Sequence, residues 1–324
     1  MSDVRIDVQR DSAEVTGALR EDVRAGLLAQ EKWLPSKWFY DARGSELFER
    51  ITTLPEYYPT RAERDVLRVH APDIVAASGA RTVVELGSGS GEKTRLLLDA
   101  FTTSGRLEVF VPLDVSESAL AESAGALAAD YPGLAVHGVV ADFTGALDSL
   151  PGASPRLVAF LGGTIGNFLP AERAKFLSSV RSVLGAGEWL LLGTDLVKDP
   201  DTLVRAYDDA AGVTAEFNRN VLLVLNSRLG ANFDPEAFDH VARWDARHER
   251  IEMRLRARHE LRVDVPGAEL AVTFVAGEEL RTEVSAKFRP DGVRAELADA
   301  GFTLRHWWTD PRHRFGVSLA VAHE

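Results

Sequence analysis

The sequence predicts an α/β protein: a mostly parallel sheet with helices on both faces, ending in a C-terminal antiparallel hairpin, with a second α+β lobe beside it. Three observations predict it. Short apolar runs alternate with helical patterns between residues 81 and 196. A strict period of two takes over after residue 250. The tail, "GFTLRHWWTDPRHRFGVSLAVAHE", reads as two strands about an Asp-Pro turn and can finish the sheet at one edge.

Taken in order, residues 12 to 29 carry Val15, Leu19, Val23 and Leu27 at four-residue spacing, which predicts an amphipathic helix. The aromatic stretch "KWLPSKWFYDARGSELFERITTLPEYYPTRAE" reads as irregular. Within it Thr60 and Glu63 have capping-box spacing, so a helix is expected to begin at about Arg61. Strand "RTVVELG" precedes helix "EKTRLLLDAF"; strand "LEVFVPLDV" precedes helix "SESALAESAGALAADY". Strands "LAVHGVVADF" and "RLVAFLGG", helix "PAERAKFLSSVRSVLG" and strand "EWLLLGTDL" complete the series. Such alternation requires parallel pairing through right-handed crossovers.

Helical patterns then fill roughly 200 to 229. In "RIEMRLRARHELRVDV", Ile251, Met253, Leu255, Ala257, Leu261, Val263 and Val265 all occupy odd positions, so an antiparallel strand or hairpin arm buries one face. Strands "LAVTFV" and "LRTEVSAKF" follow. The expected division is 61–196 with 288–324 for the sheet domain, and 1–60 with 197–287 for the second lobe.

Composition narrows the function. The 324 residues are 45% hydrophobic and 27% charged, ordinary for a soluble globular chain. A net charge of −12 argues against nucleic acid, because nothing supplies a basic field. The run "RHERIEMRLRARHELR" interleaves its arginines with carboxylates and apolar residues, so it reads as a solvated strand face. The absence of cysteine removes disulfides, thiolate nucleophiles and Cys-ligated metals. No run of 18 apolar residues occurs, so no membrane partner is expected and a cytoplasmic monomer is. The eight histidines show no ligand pattern; His306 and His313 bracket a Trp-Trp-Thr-Asp-Pro turn, and no metal is expected there.

The glycine-rich loop "VELGSGSGEKT" has three possible ligands. As a P-loop it places Lys93 and Thr94 correctly behind Gly87, but Glu92 stands where a glycine must wrap phosphate. As a dinucleotide fingerprint it has Gly87 and Gly89, but Glu92 again replaces the third glycine. S-adenosylmethionine carries no phosphate, and its sulfonium suits the acid Glu85. Asp114, ending the second strand, is placed for ribose hydroxyls, and Asp142 with Phe143, ending the third, for the adenine. All fall at the C-terminal ends of strands, where ligands sit in such sheets.

Two further features concern a second substrate. "FLGGTIGNF" puts glycines and Asn167, both donor and acceptor, after the fourth strand, although the segment also reads as a plain loop into the next helix. Glu283 and Ser285 are two apart and share a strand face. They suit a ring NH and a ring nitrogen, or form a solvent-facing edge.

The segments "KWFYDARGSELFERITTLPEYYPTR", "VELGSGSGEKT", "FLGGTIGNF", "LLGTDLVKD", "RAYDDAAGVTAEFNRN", "GEELRTEVSAKF" and "HWWTDP" together resemble the histidine-specific Nα-methyltransferases of ergothioneine biosynthesis, over residues 12 to 322. The resemblance implies a class I methyltransferase fold, S-adenosylmethionine as cofactor and S-adenosylhomocysteine as product. It implies three methyl transfers to L-histidine, giving hercynine. It assigns Gly87, Lys93, Asp114, Asp142 and Phe143 to the cofactor, and Asn167 and Tyr207 to the carboxylate and amine end of the substrate. Tyr57 would frame the amino acid, Glu283 and Ser285 would read the imidazole, and Met253 would line the same pocket. Tyr40 would lie near the amine and assist its deprotonation, making Tyr40 and Asn167 the catalytic candidates. Gly91 replaces a frequent serine of that family and "TEVSAKF" its "TEVSCKF", changes that bear only on loop stiffness. Other readings stay open: a methyltransferase for another aromatic amino acid, a sensor of S-adenosylmethionine without turnover, or a nicotinamide-dependent oxidoreductase.

Overall fold

The computed structural model describes residues 4–8, 12–89, 91–114, 117–141 and 151–323. The elements run β1 (Val4–Val8), α1 (Ser12–Leu27), α2 (Ala42–Thr53), α3 (Pro59–Ser78), β2 (Thr82–Leu86), α4 (Glu92–Ser104), β3 (Val109–Asp114) and α5 (Glu117–Asp130). Next come β4 (Ala135–Val140), β5 (Arg156–Phe160), α6 (Pro170–Val183), β6 (Trp189–Asp195), α7 (Pro200–Tyr207), α8 (Val213–Leu229) and β7 (Phe238–Asp245). The chain ends with β8 (Arg250–Ala257), β9 (Leu261–Val265), β10 (Leu270–Phe274), β11 (Glu279–Ala286), α9 (Pro290–Asp299), β12 (Phe302–Thr309) and β13 (Phe315–Ala322).

Two compact units result. Met1–Arg10, Pro59–Val197 and Lys287–Glu324 make one, Asp11–Tyr58 and Lys198–Ala286 the other. The first is built on a sheet of order β1-β4-β3-β2-β5-β6-β13-β12. Pairing is parallel from β1 through β6 and antiparallel where β13 joins β6 and β12 joins β13. From β2 the chain steps outward to β3 and β4 on one side and later to β5 and β6 on the other. Strand order therefore reverses at β2, so the topological switch point, where ligands of such sheets bind, lies at its C-terminal end. β2 is buried along its whole length, as a central parallel strand must be.

Three features of this unit depart from the sequence reading. Residues 1–60 were expected with the second lobe, yet β1 pairs in parallel with β4, Val4 opposite Val136. α9 has no counterpart among the expected elements. α3 starts at Pro59 rather than at Arg61, because proline's fixed φ suits the first helical position. Thr60 thus lies inside the helix, and Glu63 serves another purpose.

The second unit carries α1, α2, α7 and α8 with an antiparallel sheet of order β11-β8-β7 and a separate β10-β9 ribbon. α1 buries Leu19, Val23 and Leu27 as its spacing predicts. α2 occupies a stretch that reads as irregular. Asp41 caps it, accepting from the Gly44 N–H at 2.7 Å, and Leu47 and Ile51 form its buried stripe. β7 is likewise unforeseen. The period-two segment splits at residues 258–260 into β8 and β9, which belong to different sheets. Ile251, Met253, Leu255 and Ala257 are buried as expected, but Glu252 and Arg254 are buried too. Arg250 and Arg254 both bond Glu252, so the second face of β8 buries its charges in pairs. Among the described residues no helix is long and apolar enough to cross a membrane.

Candidate active site

In the first unit the chain leaves β2 through Gly87, whose φ of +73° is a left-handed conformation that favours glycine. The Gly87 N–H donates to the Leu113 carbonyl at 2.7 Å, tying the loop to the end of β3. Gly91, also left-handed, caps α4. Asp114 is half-buried at the end of β3, and its Oδ2 lies 3.4 Å from the Gly89 N–H. Asp142 and Phe143 lie outside the described residues.

Just before the loop, Glu85 is buried at 3% exposure and accepts from the Thr94 hydroxyl. Burial pushes its carboxyl up to about 7, against the opposing influence of that hydrogen bond and the Lys93 charge. An acid poised there gains from a positive charge brought near it.

Lys93, on the first turn of α4, pairs with a buried carboxylate: its Nζ lies 2.5 Å from Oε2 of Glu63. Glu63 is fully buried on α3. Its two oxygens also accept from the Gly162 N–H, both at 2.9 Å. Gly193, on β6, leaves room for this carboxylate, since a Cβ there would stand 2.1 Å from Oε1. One buried acid thus joins α3, α4, the loop after β5 and the floor of the sheet. The sequence does carry a signal for it. Glu63 falls in the buried stripe of α3 with Ala62, Val66, Leu67 and Ile74, and an acid on an apolar stripe asks for a partner. The loop it holds continues through Gly162 and Gly163 into a single 3-10 turn, Thr164–Asn167, which leaves Asn167 half-buried.

These groups fit S-adenosylmethionine chemically. The Lys93 ammonium suits an amino-acid carboxylate, Asp114 suits vicinal hydroxyls, and Glu85 suits a nearby cation.

In the second unit Tyr207, the last residue of α7, and Ser285 on β11 are 92% and 95% buried and bonded through their hydroxyls at 2.7 Å. The Tyr57 ring stands edge-on to Tyr207 at 6.2 Å and to Phe48 at 6.1 Å. Tyr40, more exposed, meets Phe48 and Phe217 at 5.7 Å each. An aromatic wall results, with three phenols among its members, Tyr40, Tyr57 and Tyr207.

The acid and hydroxyl reach that face through a β-bulge. Arg281 pairs with Arg254, but the next match is Glu283 with Met253, then Ser285 with Ile251. Thr282 is the extra residue. Were Thr282 paired in the ladder opposite Met253, Glu283 would stand opposite Glu252, on the face of the buried ion pairs; because Thr282 is bulged out, Glu283 and Ser285 share the face of Met253. Thr282 is fully buried and donates its hydroxyl to Asn218 Oδ1 at 2.6 Å. The structure therefore brings Tyr57, Tyr207, Met253, Glu283 and Ser285 into one unit, and Gly87, Lys93, Asp114 and Asn167 into the other. Glu63, Thr94, Asn218, His240 and Thr282 are the supporting groups that sequence reasoning missed.

No group of three or more potential metal ligands occurs among the described residues. His306 stacks on Trp308 at 5.1 Å, and His313 bonds the Thr309 hydroxyl at 2.8 Å.

Residues 19–322 match the model of the family described as histidine-specific methyltransferase, SAM-dependent. A histidine N-alpha-methyltransferase of Mycolicibacterium smegmatis is 58% identical over 94% of this chain and 95% of its own. That of Mycobacterium tuberculosis is 54% identical over 98% and 100%. Ergothioneine biosynthesis protein 1 of Neurospora crassa is 34% identical over 69% of this chain, but over only 26% of its own.

Proposed function

The chain belongs to the histidine-specific, S-adenosylmethionine-dependent methyltransferase family, and from that membership we propose that it converts L-histidine to hercynine by three successive Nα-methylations, the first step of ergothioneine biosynthesis. The observation that carries the substrate reading is the bulged strand. It sets a carboxylate and a hydroxyl on one face, with Met253 opposite the acid and Tyr207 bonded to the hydroxyl. An imidazole offers one N–H and one bare nitrogen. Glu283 accepts from the first, and Ser285 donates to the second while keeping its contact with Tyr207.

In this reading Gly87, Lys93, Asp114, Asp142 and Phe143 hold the cofactor, and Glu85 lends negative charge nearby. S-adenosylmethionine supplies a methyl group bonded to a positively charged sulfur. What the chain contributes is orientation: the amine lone pair must point along the carbon–sulfur axis. Asn167 and Tyr207 fix the carboxylate and amine of histidine for that purpose, and Tyr57 limits their rotation. The carbon–nitrogen bond forms as the carbon–sulfur bond breaks, S-adenosylhomocysteine leaves, and the amine sheds a proton whenever it starts as an ammonium. Tyr40 is assigned to that proton's path. The aromatic wall suits a product that ends as a permanent cation. The enzyme is read as a cytoplasmic monomer, a setting compatible with a cysteine-free chain.

Mass spectrometry of the protein with S-adenosylmethionine and an equal mixture of the twenty amino acids tests this. Histidine alone is expected to gain three methyl groups. Modification of a different amino acid would refute the imidazole reading of Glu283 and Ser285.

A further inference from the structure

We propose that Asn218, His240 and Thr282 are positioning residues that hold the histidine-reading strand in register against Tyr207. The inference rests on the assignment of Glu283 and Ser285 to the imidazole.

The hydrogen-bond roles follow from the groups themselves. The Arg254 carbonyl can only accept, so the Asn218 atom 3.0 Å from it is the amide nitrogen. The second N–H of that nitrogen meets His240 Nδ1 at 2.9 Å, so Nδ1 is the acceptor. His240 Nε2 must then carry the proton, and it donates to the Tyr207 carbonyl at 2.8 Å. Asn218 Oδ1, facing the other way, takes the Thr282 hydroxyl at 2.6 Å. Thr282 is the bulge residue, next to Glu283, and Ser285 beyond it returns to the Tyr207 hydroxyl at 2.7 Å.

The result is a closed ring: Tyr207 backbone, His240, Asn218, Thr282, strand β11, Ser285 and the Tyr207 side chain. Asn218 and Thr282 have no exposed surface, and the His240 side chain is 3% exposed. Every amide atom of Asn218 has a partner. A bulge frees one residue from the ladder and is costly to hold unless that residue is bonded elsewhere. Here the bond goes to the helix that also binds His240, so the position of Glu283 and the position of Tyr207 are set by one network.

Thr282→Val keeps the shape and removes the donor, whereas Thr282→Ser keeps the donor. The expected result for Thr282→Val is a KM for histidine raised about tenfold, the equivalent of one buried hydrogen bond. Its calorimetric Kd for S-adenosylhomocysteine should stay within about twofold of the parent. Thr282→Ser should restore the parental KM. Asn218→Asp, which exchanges the His240 donor for an acceptor, should repeat the KM rise and provides the second arm if Thr282→Val does not fold. An unchanged histidine KM in both altered proteins, an equal loss of S-adenosylhomocysteine affinity, or a Thr282→Ser protein as impaired as Thr282→Val would overturn the inference. Glu283→Ala is measured beside them. If it leaves histidine KM unchanged, the imidazole assignment fails and the inference with it; if it raises KM while Thr282→Val does not, the inference alone fails.

Discussion

The hydroxyls of Tyr207 and Ser285, 78 positions apart in the chain, lie 2.7 Å from each other in a buried site. Either can be the donor, so the direction of this bond can reverse with the group that meets the pair. Tyr207→Phe and Ser285→Ala should each raise KM for histidine about tenfold. The double variant should fall well short of a hundredfold, because the second change removes a bond already broken. Initial-rate kinetics on the three proteins measures the coupling.

Glu283→Ala should cost more. In the proposed reading the imidazole N–H loses a charged acceptor, and kcat/KM for histidine is expected to drop on the order of a hundredfold or more. Cofactor affinity should not follow, since Glu283 belongs to the second unit. Titration with S-adenosylhomocysteine separates the two effects; parallel loss would assign Glu283 to folding.

Glu63→Gln tests the other unit. The amide still accepts from Gly162 but no longer opposes the Lys93 charge with a full negative charge. S-adenosylhomocysteine Kd is expected to rise about tenfold, with histidine KM little affected at saturating cofactor. Gly193→Ala pushes a methyl against the same carboxylate and should act in the same direction. Normal cofactor affinity in both would remove Glu63 from the site.

Glu85 predicts a pH dependence. Its folded pKa, about 7, is above the ordinary glutamate value of 4.5. The folded protein therefore holds this proton more tightly than the unfolded chain. The associated stability is fully present below pH 4.5 and is lost as pH rises through 7, on the order of 3 kcal/mol for a fully buried carboxyl. Glu188, Glu252 and Asp310, whose pKa values are lowered, act in the opposite sense at more acid pH. Urea unfolding between pH 5 and 8 should show a smaller decline for Glu85→Gln than for the parent. Identical slopes would mean that Glu85 is ionised throughout.

Much of this was legible in the sequence. The αβ alternation, the C-terminal hairpin and the place of Asp114 at the end of its strand follow from short-range patterns, because a buried parallel strand and an amphipathic helix each leave a periodic trace. What escaped did so for physical reasons. Thr60 and Glu63 have the spacing of a cap, but proline at 59 starts the helix earlier and tertiary packing claims the acid. Glu252 and Arg254 look solvent-facing by period, yet neighbouring opposite charges let them be buried. The bulge at Thr282 leaves no local mark, since the Asn218 amide that its hydroxyl bonds is 64 positions away.

That bulge makes the way Thr282 is paired part of the chemistry of β11. Deleting the residue would close the bulge and leave both flanks matched as before, Arg281 with Arg254 and Glu283 with Met253. Keeping it but drawing it into the ladder opposite Met253 would turn every later side chain to the opposite face and set Glu283 among the ion pairs of Glu252. Altered substrate choice in this architecture can therefore arise by a slip of register with no exchange of the contacting residues, and anyone transplanting the strand between relatives must carry its bulge along with its letters.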